Sequence, residues 1–304
     1  MFPLPSSNEA FLGCHRPEIL SVLGQHTPLI LDLVKIVADY VVQGDVFASK
    51  DYERVFGVET EDVELGPEFY EFWYAPDALD PTKLNCDTHL LPILKPEHAP
   101  EHATDIIAPV HRHRFANDVQ TENSIETLER LAVNPCEGYR ASRFILNLDG
   151  FRLETKTSPS CFLVARKAVF ARSFDTDKQM EYMNDLNART GAGYEVLPSA
   201  LDLATISIVH HAITGDRYLS DGTGMEDVWT ESRCKDKIYG GRGFHSVTIG
   251  GHSNRASFRD IGIVGLFIDV FNVGSTSIGV AGLRIFLGHQ PLNTQPFAQM
   301  SNAV

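Results

Sequence analysis

Histidines and cysteines are the residues with which this chain would do acid–base, metal or thiol chemistry; its 304 residues include 12 of the first and five of the second. His98, His102, His111 and His113 crowd one stretch. The i,i+2 spacing of His111 and His113 would put both imidazoles on one face of a strand. No acidic or thiol partner stands at a matching offset, and Arg112 and Arg114 add like charge, so they read as solvated loop histidines. His210 and His211 adjoin in a helical stretch, where neighbours point about 100° apart, and so do not form a ligand pair. Cys14, Cys86, Cys136, Cys161 and Cys234 show no CxxC pairing, which fits free thiols in a reducing compartment. The stretch 274–279 departs from the Gly-x-Ser-x-Gly nucleophile elbow. Gly240-Gly241-Arg242-Gly243 and Gly250-Gly251 lack the lysine and following helix of a phosphate loop. No catalytic residue, metal or cofactor is therefore expected.

Elements must position whatever does act. Residues 17–42 carry apolar positions at helical spacing, divided by Pro28 and ended by Gly44. They predict an N-terminal helical hairpin, with an adaptor pair of the F-box kind as the sharper alternative. Ser49 is expected to cap a helix beginning there. Residues 60–100 are rich in turn formers, with Phe69, Tyr70, Phe72, Trp73 and Tyr74 anchoring an irregular segment to a core. A strand at 89–94 is pushed to a sheet edge by Pro92. An exposed helix is expected at 121–131, and buried strands at 141–153 and 160–171. A helix at 175–190 presents Met180, Met183 and Leu186 on one face, and a short strand follows at 194–197. Ser199 and Asp202 predict a capping box opening a largely buried helix, the carboxylate reaching back to the cap.

Leu197-Pro-Ser-Ala-Leu-Asp-Leu-Ala-Thr205, Gly215-Asp-Arg-Tyr-Leu-Ser220, Trp229-Thr230 and Gly279-Val-Ala-Gly-Leu-Arg-Ile-Phe286 follow one another in a telling order. It resembles the C-type-lectin fold in its calcium-independent form, as in formylglycine-generating-enzyme-like domains and in variable proteins diversified by retroelements. In that family a Leu-Pro-Ser/Thr opens the long helix, a Trp follows, and a Gly-rich segment leads to a closing Gly-(Phe/Val)-Arg strand. Val247-Thr-Ile-Gly-Gly251 stands where the family has its Gly-Gly/Ser strand end. The resemblance covers residues 141–287. The Glu-Pro-Asn or Gln-Pro-Asp loop of calcium-dependent sugar binding is absent, and so are the paired cysteines of the oxidases. Asp87-Thr-His-Leu-Leu91 resembles a segment of bacterial proteins to which no function attaches.

Residues 238–289 contain no Lys, Glu, Gln, Met or Trp, types that together make up about a fifth of ordinary soluble proteins. Two readings account for this. Adenine-directed mutagenesis of AAC- or AAT-type codons, which the resemblance suggests, reaches none of the missing types while the final pyrimidine is kept. A Gly-rich β region short of long side chains would look the same. The first reading makes the stretch 252–277 a contact surface of loop and strand-edge side chains. Its candidate ligand-binding residues are His252, Asn254, Arg255, Phe258, Arg259, Asp260, Phe267, Asp269, Phe271 and Asn272. Arginine and aromatics commonly dominate binding energy.

The formal charge of -14 and the scarcity of basic clusters argue against nucleic acid or an anionic membrane as partner. No window reaches the roughly 18 apolar residues of a membrane span. The N-terminus lacks a signal-peptide pattern, so cytoplasmic is the default expectation, with signal-independent export left open. The expected architecture is α+β: a helical segment (1–45), a mixed segment (46–140), a C-type-lectin-like domain (141–290) and a tail (291–304). The leading functional expectation is a non-enzymatic ligand-binding or display protein with a protein or cell-surface partner. Its rivals are an oxidase-type enzyme using Cys234 and an adaptor acting through the N-terminal helices.

Overall fold

A seven-stranded mixed sheet runs through the protein in the order β1-β3-β7-β4-β5-β6-β2, with helices packed on it. This α+β architecture belongs to a computed structural model that describes residues 46–97, 125–146, 159–215, 218–219, 230–240, 243–250, 265–271 and 276–288. The chain divides into the units Met1–Val46 and Phe47–Val304. The helical hairpin expected at 17–42, the histidines at 98–113 and Trp229 lie outside the described residues.

In chain order the elements are α1 (Ser49–Phe56), α2 (Pro67–Trp73), α3 (Asn85–Thr88), β1 (Ile93–Lys95), α4 (Ile125–Val133), β2 (Arg143–Leu146) and β3 (Cys161–Phe170). Then come α5 (Thr176–Thr190), α6 (Ala200–Thr214), β4 (Glu231–Gly240), β5 (Gly243–Gly250), β6 (Gly265–Phe271) and β7 (Ile278–Leu287). Helix α1 caps one residue earlier than expected. Ala48 is its N-cap, and its amide donates to the Asp51 carboxylate at 2.8 Å, while the Ser49 hydroxyl donates to Asp62. Tyr52 from α1 is buried, and its hydroxyl donates to the Leu94 carbonyl at 2.6 Å. The strand expected at 89–94 is shorter and shifted: β1 spans only Ile93–Lys95, starting after Pro92, and stands last in the sheet order with Phe47 bridging Ile93.

The aromatic run belongs to a short helix rather than to irregular chain. Pro67 occupies its first turn, and Phe69, Phe72 and Trp73 are buried. Phe69 meets Phe286 of β7 edge-on at 5.3 Å, so the anchoring role holds although the local structure differs. Helix α4 is not exposed: Ile125, Leu128, Leu131 and Ala132 are buried on one helical stripe, which packs against α6. The strand expected at 141–153 is confirmed only for Arg143–Leu146, parallel to β6. No strand forms at 194–197. Gly193 just before it is left-handed (φ 68) and Pro198 follows, leaving Glu195 N–H to Leu283 O (2.7 Å) as a single tie to β7.

Helix α5 opens on Asp175, whose side chain accepts from Lys178 N–H at 3.0 Å, and ends at Gly191. Helix α6 opens on Ser199, which accepts from Asp202 N–H at 3.1 Å. The capping box is only half made, because Asp202 turns its carboxylate to Lys95 of β1 and is buried with it. Nearly all of α6 is buried, so it forms a central rod against which β1, β3, β4, β5 and β6 pack.

Two bulges shape the sheet. Between Ala165↔Leu283 and Val169↔Ala281, Arg166 to Ala168 of β3 stand opposite Gly282 alone. Between Arg233↔Thr248 and Lys237↔Ser246, Cys234 to Asp236 of β4 stand opposite Val247 alone. A bulge re-aims its side chains. The first sends Arg166 to Asp77, and the second brings Asp236 to Ala200 N–H (2.7 Å) at the start of α6.

Candidate functional site

Two places concentrate the groups that could act: one end of the sheet, and a polar network buried beside it. At the first, β4, β6, β7 and β2 all begin and β5 ends, as Glu231↔Gly250, Gly250↔Phe267, Glu231↔Ile278 and Arg143↔Gly265 require. Gly250 and Gly265, which flank residues 251–264 in the sequence, therefore both stand at this end. His252, Asn254, Arg255, Phe258, Arg259 and Asp260 fall between them in the sequence, and they lie outside the described residues, as does Asn272. Phe267, Asp269 and Phe271 are in β6, in register with Gly250, Thr248 and Ser246. β6 is an inner strand flanked by β5 and β2, not an edge. On β5 the positions from Ser246 to Ile249 are all buried. These three positions thus belong to the body of the sheet.

What roots the sheet end is polar and buried. Glu231 accepts from the Thr248 hydroxyl at 2.6 Å, and Arg172 donates to the Thr230 hydroxyl at 3.1 Å. Arg233 is wholly buried and donates through Nε to Gln179 Oε1 at 2.7 Å. Gln179 in turn donates to the carbonyls of Ala171 (3.1 Å) and Ile278 (3.2 Å). Burial pulls the Arg233 guanidinium down from its ordinary value, while Asp175, Cys234 and Glu231 support its charge. Gly250 passes so close to Thr230 and Glu231 that any β-carbon would strike their backbone.

The second place was not anticipated from the sequence. Asp77 is fully buried, and its carboxylate accepts from Arg166 and Thr88, and from Leu79 N–H (2.8 Å) and Asp80 N–H (2.9 Å). Burial pushes the carboxyl up, but these four hydrogen bonds together outweigh it and leave its pKa at about 2. Arg166 loses by burial too, yet Asp77 and Tyr194 more than restore its charge. The Tyr194 phenol, raised chiefly by burial, lies 3.5 Å from Arg166 and 2.8 Å from His89 Nε2.

Hydrogen-bond accounting fixes the His89 tautomer. Nδ1 lies 2.8 Å from the Asn85 carbonyl, which can only accept, so Nδ1 carries the proton. Nε2 is then the acceptor for the Tyr194 hydroxyl. Burial drives the His89 pKa down to about 4, with Arg166 and Lys167 adding to it and the Asn85 carbonyl and Asp77 opposing. The ring is neutral at pH 7. It is also 2% exposed, so no substrate reaches it, and the network joins segments rather than performing chemistry. One sequence signal pointed here: Arg166 ends the apolar run Phe162-Leu-Val-Ala165 inside a buried strand.

The two buried thiols do not suit catalysis. Cys234 is fully buried, and burial, helped by Asp236 and Asp202, pushes its thiol well above the ordinary value. Cys161 is raised to about 11, again by burial first. A reactive cysteine needs thiolate character and access, and neither residue has them. Among the described residues no group of three or more His, Cys, Asp or Glu is placed to hold a metal ion, and no helix is long and apolar enough to cross a membrane.

No family model, no curated protein and no solved structure matches this chain.

Proposed function

We propose that this chain is a non-enzymatic binding protein on a C-type-lectin-like frame, a retroelement-diversified variable protein. It engages a protein or cell-surface partner through residues of the stretch 252–277. The observation that carries the reading is the element order from β3 to β7. A first strand is followed by two helices, α5 and α6, then by three antiparallel strands in succession. The last strand returns to lie antiparallel beside the first, from Cys161↔Leu287 to Phe170↔Val280. Gly250 and Gly265, the described residues on either side of 251–264, stand at a buried polar sheet end, and binding loops are commonly carried on such scaffolds. Burial of Cys234 disfavours the oxidase alternative.

The gene tests the origin of the alphabet. A near-copy of the codons for 240–286 should lie beside a reverse-transcriptase gene and differ from them at adenines. A locus without such a template removes diversification from the reading. The surface is tested by the triple variant Arg255→Ala, Phe258→Ala, Arg259→Ala in an assay of retention on candidate host cells. Retention should fall at least tenfold with the melting temperature unchanged. Full retention by the triple variant would place the contact surface elsewhere.

A further inference from the structure

We propose that the 77–91 segment is an acid-responsive clasp, held closed on β3 and on the 191–198 bend by the hydrogen bonds of a neutral His89, and released when His89 is protonated. Two of its side chains reach the rest of the fold, Asp77 to Arg166 of β3 and His89 to the Tyr194 hydroxyl, beside the backbone ties of Leu90 N–H to the Ala165 carbonyl (2.7 Å) and of the Asp87 carbonyl to Lys167 (3.1 Å). Phe72 of α2 packs edge-on against the His89 ring at 5.2 Å, and Tyr194 lies beside it, with ring centroids 5.9 Å apart. His89 is thus the point where the segment, the strand and the bend converge.

The polarity of the network makes it sensitive to one proton. Both His89 nitrogens are committed, Nδ1–H to the Asn85 carbonyl and Nε2 to the Tyr194 O–H. A second proton on Nε2 faces that O–H, so the phenol must turn its hydrogen away from its acceptor inside a buried site, which is costly. The new charge also meets cations. Arg166 and Lys167 of β3 oppose it, and Arg284 of β7 acts on Tyr194. Among the described residues Asp77 is the charge that favours it, and its carboxylate is already engaged by Arg166, Thr88 and two amides. In the released segment His89 is solvated and titrates near its ordinary 6.5. Below that pH the open state binds a proton that the closed state refuses, so opening grows about tenfold per pH unit.

Hydrogen–deuterium exchange of the full chain, read by mass spectrometry between pH 7 and 4.5 and corrected for intrinsic rates, tests this. Peptides over 77–91 should lose protection progressively below pH 6.5 while those over α6 and β7 keep theirs. His89→Gln should abolish that pH dependence. If His89→Gln does not fold, Tyr194→Phe serves, because removing the O–H that faces Nε2 eases protonation in the closed state and should flatten the pH dependence. The clasp is overturned by unchanged protection of 77–91 down to pH 4.5, or by its opening only together with α6 and β7. It is equally overturned by the same pH dependence in the variant.

Discussion

Single residues in this protein matter mostly through buried charge. Lys95 and Asp202 form an ion pair in which both partners are more than nine-tenths buried, joining β1 to the first turn of α6. Removing one partner strands the other, at roughly 3–5 kcal/mol, whereas replacing both with apolar groups is often neutral. Lys95→Met should therefore lose about that much in urea unfolding, and Lys95→Met with Asp202→Leu should recover most of it. A double variant as damaged as the single would mean that the pair itself, not the stranded carboxylate, carries the stability. The thiols give a second residue-scale prediction. Cys161 and Cys234 should resist a thiol reagent in the native protein and react only as it unfolds, while the half-buried Cys86 and Cys136 label first. Fast native labelling of Cys234 would revive it as a reactive group.

At the scale of elements, local signals and local structure agree where the determinants are close in sequence. Asp175 and Gly191 bracket α5, and Ser199 opens α6, because a cap and a period need only a few neighbouring residues. Ser199→Ala should accordingly cost about 1 kcal/mol, checked by thermal unfolding. The buried network was not legible, because its partners are far apart: 89 residues between Asp77 and Arg166, and 105 between His89 and Tyr194. No window spans such distances, and an aspartate after Pro76 reads as a turn until the fold brings an arginine to it. The bend at 194–197 was misread for the opposite reason. Its Tyr-Glu-Val-Leu pattern suits a strand, but Gly193 and Pro198 deny it a ladder. The candidate site divides the same way: its odd alphabet is visible in composition, whereas its base depends on Gly250 passing close to Glu231. Gly250→Ala should force β4 and β5 apart there, at roughly 1–3 kcal/mol. It should also weaken the proposed binding through 252–277 more than Ser199→Ala does; equal binding in the two variants would uncouple the sheet end from the proposed contact surface.

The whole molecule brings these terms together in its response to acid, where two effects oppose each other. The formal charge of -14 at pH 7 falls toward zero near the pI of about 5.2. Relief of self-repulsion therefore favours the compact state as the pH drops. His89 acts the other way. Its pKa is depressed from 6.5 to about 4 in the folded protein, so between those values the unfolded chain binds the extra proton. Its contribution is present in full above pH 6.5 and is lost as the pH falls to 4, amounting to about 3 kcal/mol for a shift of this size. Asp77, lowered from 3.8 to about 2, adds a second loss of about 2 kcal/mol between those values. Diffuse repulsion is screened within about 8 Å at physiological salt, whereas a buried imidazole feels little of that screening. At 0.15 M salt the His89 effect should therefore win, and urea-unfolding free energy should decline from pH 6.5 to 4.5. The difference between the wild type and His89→Gln should be steepest in that window and flat above pH 7. A difference that stays constant from pH 7 to 4.5 would show that His89 does not stay neutral in the fold, and the decline would then belong to carboxylates elsewhere.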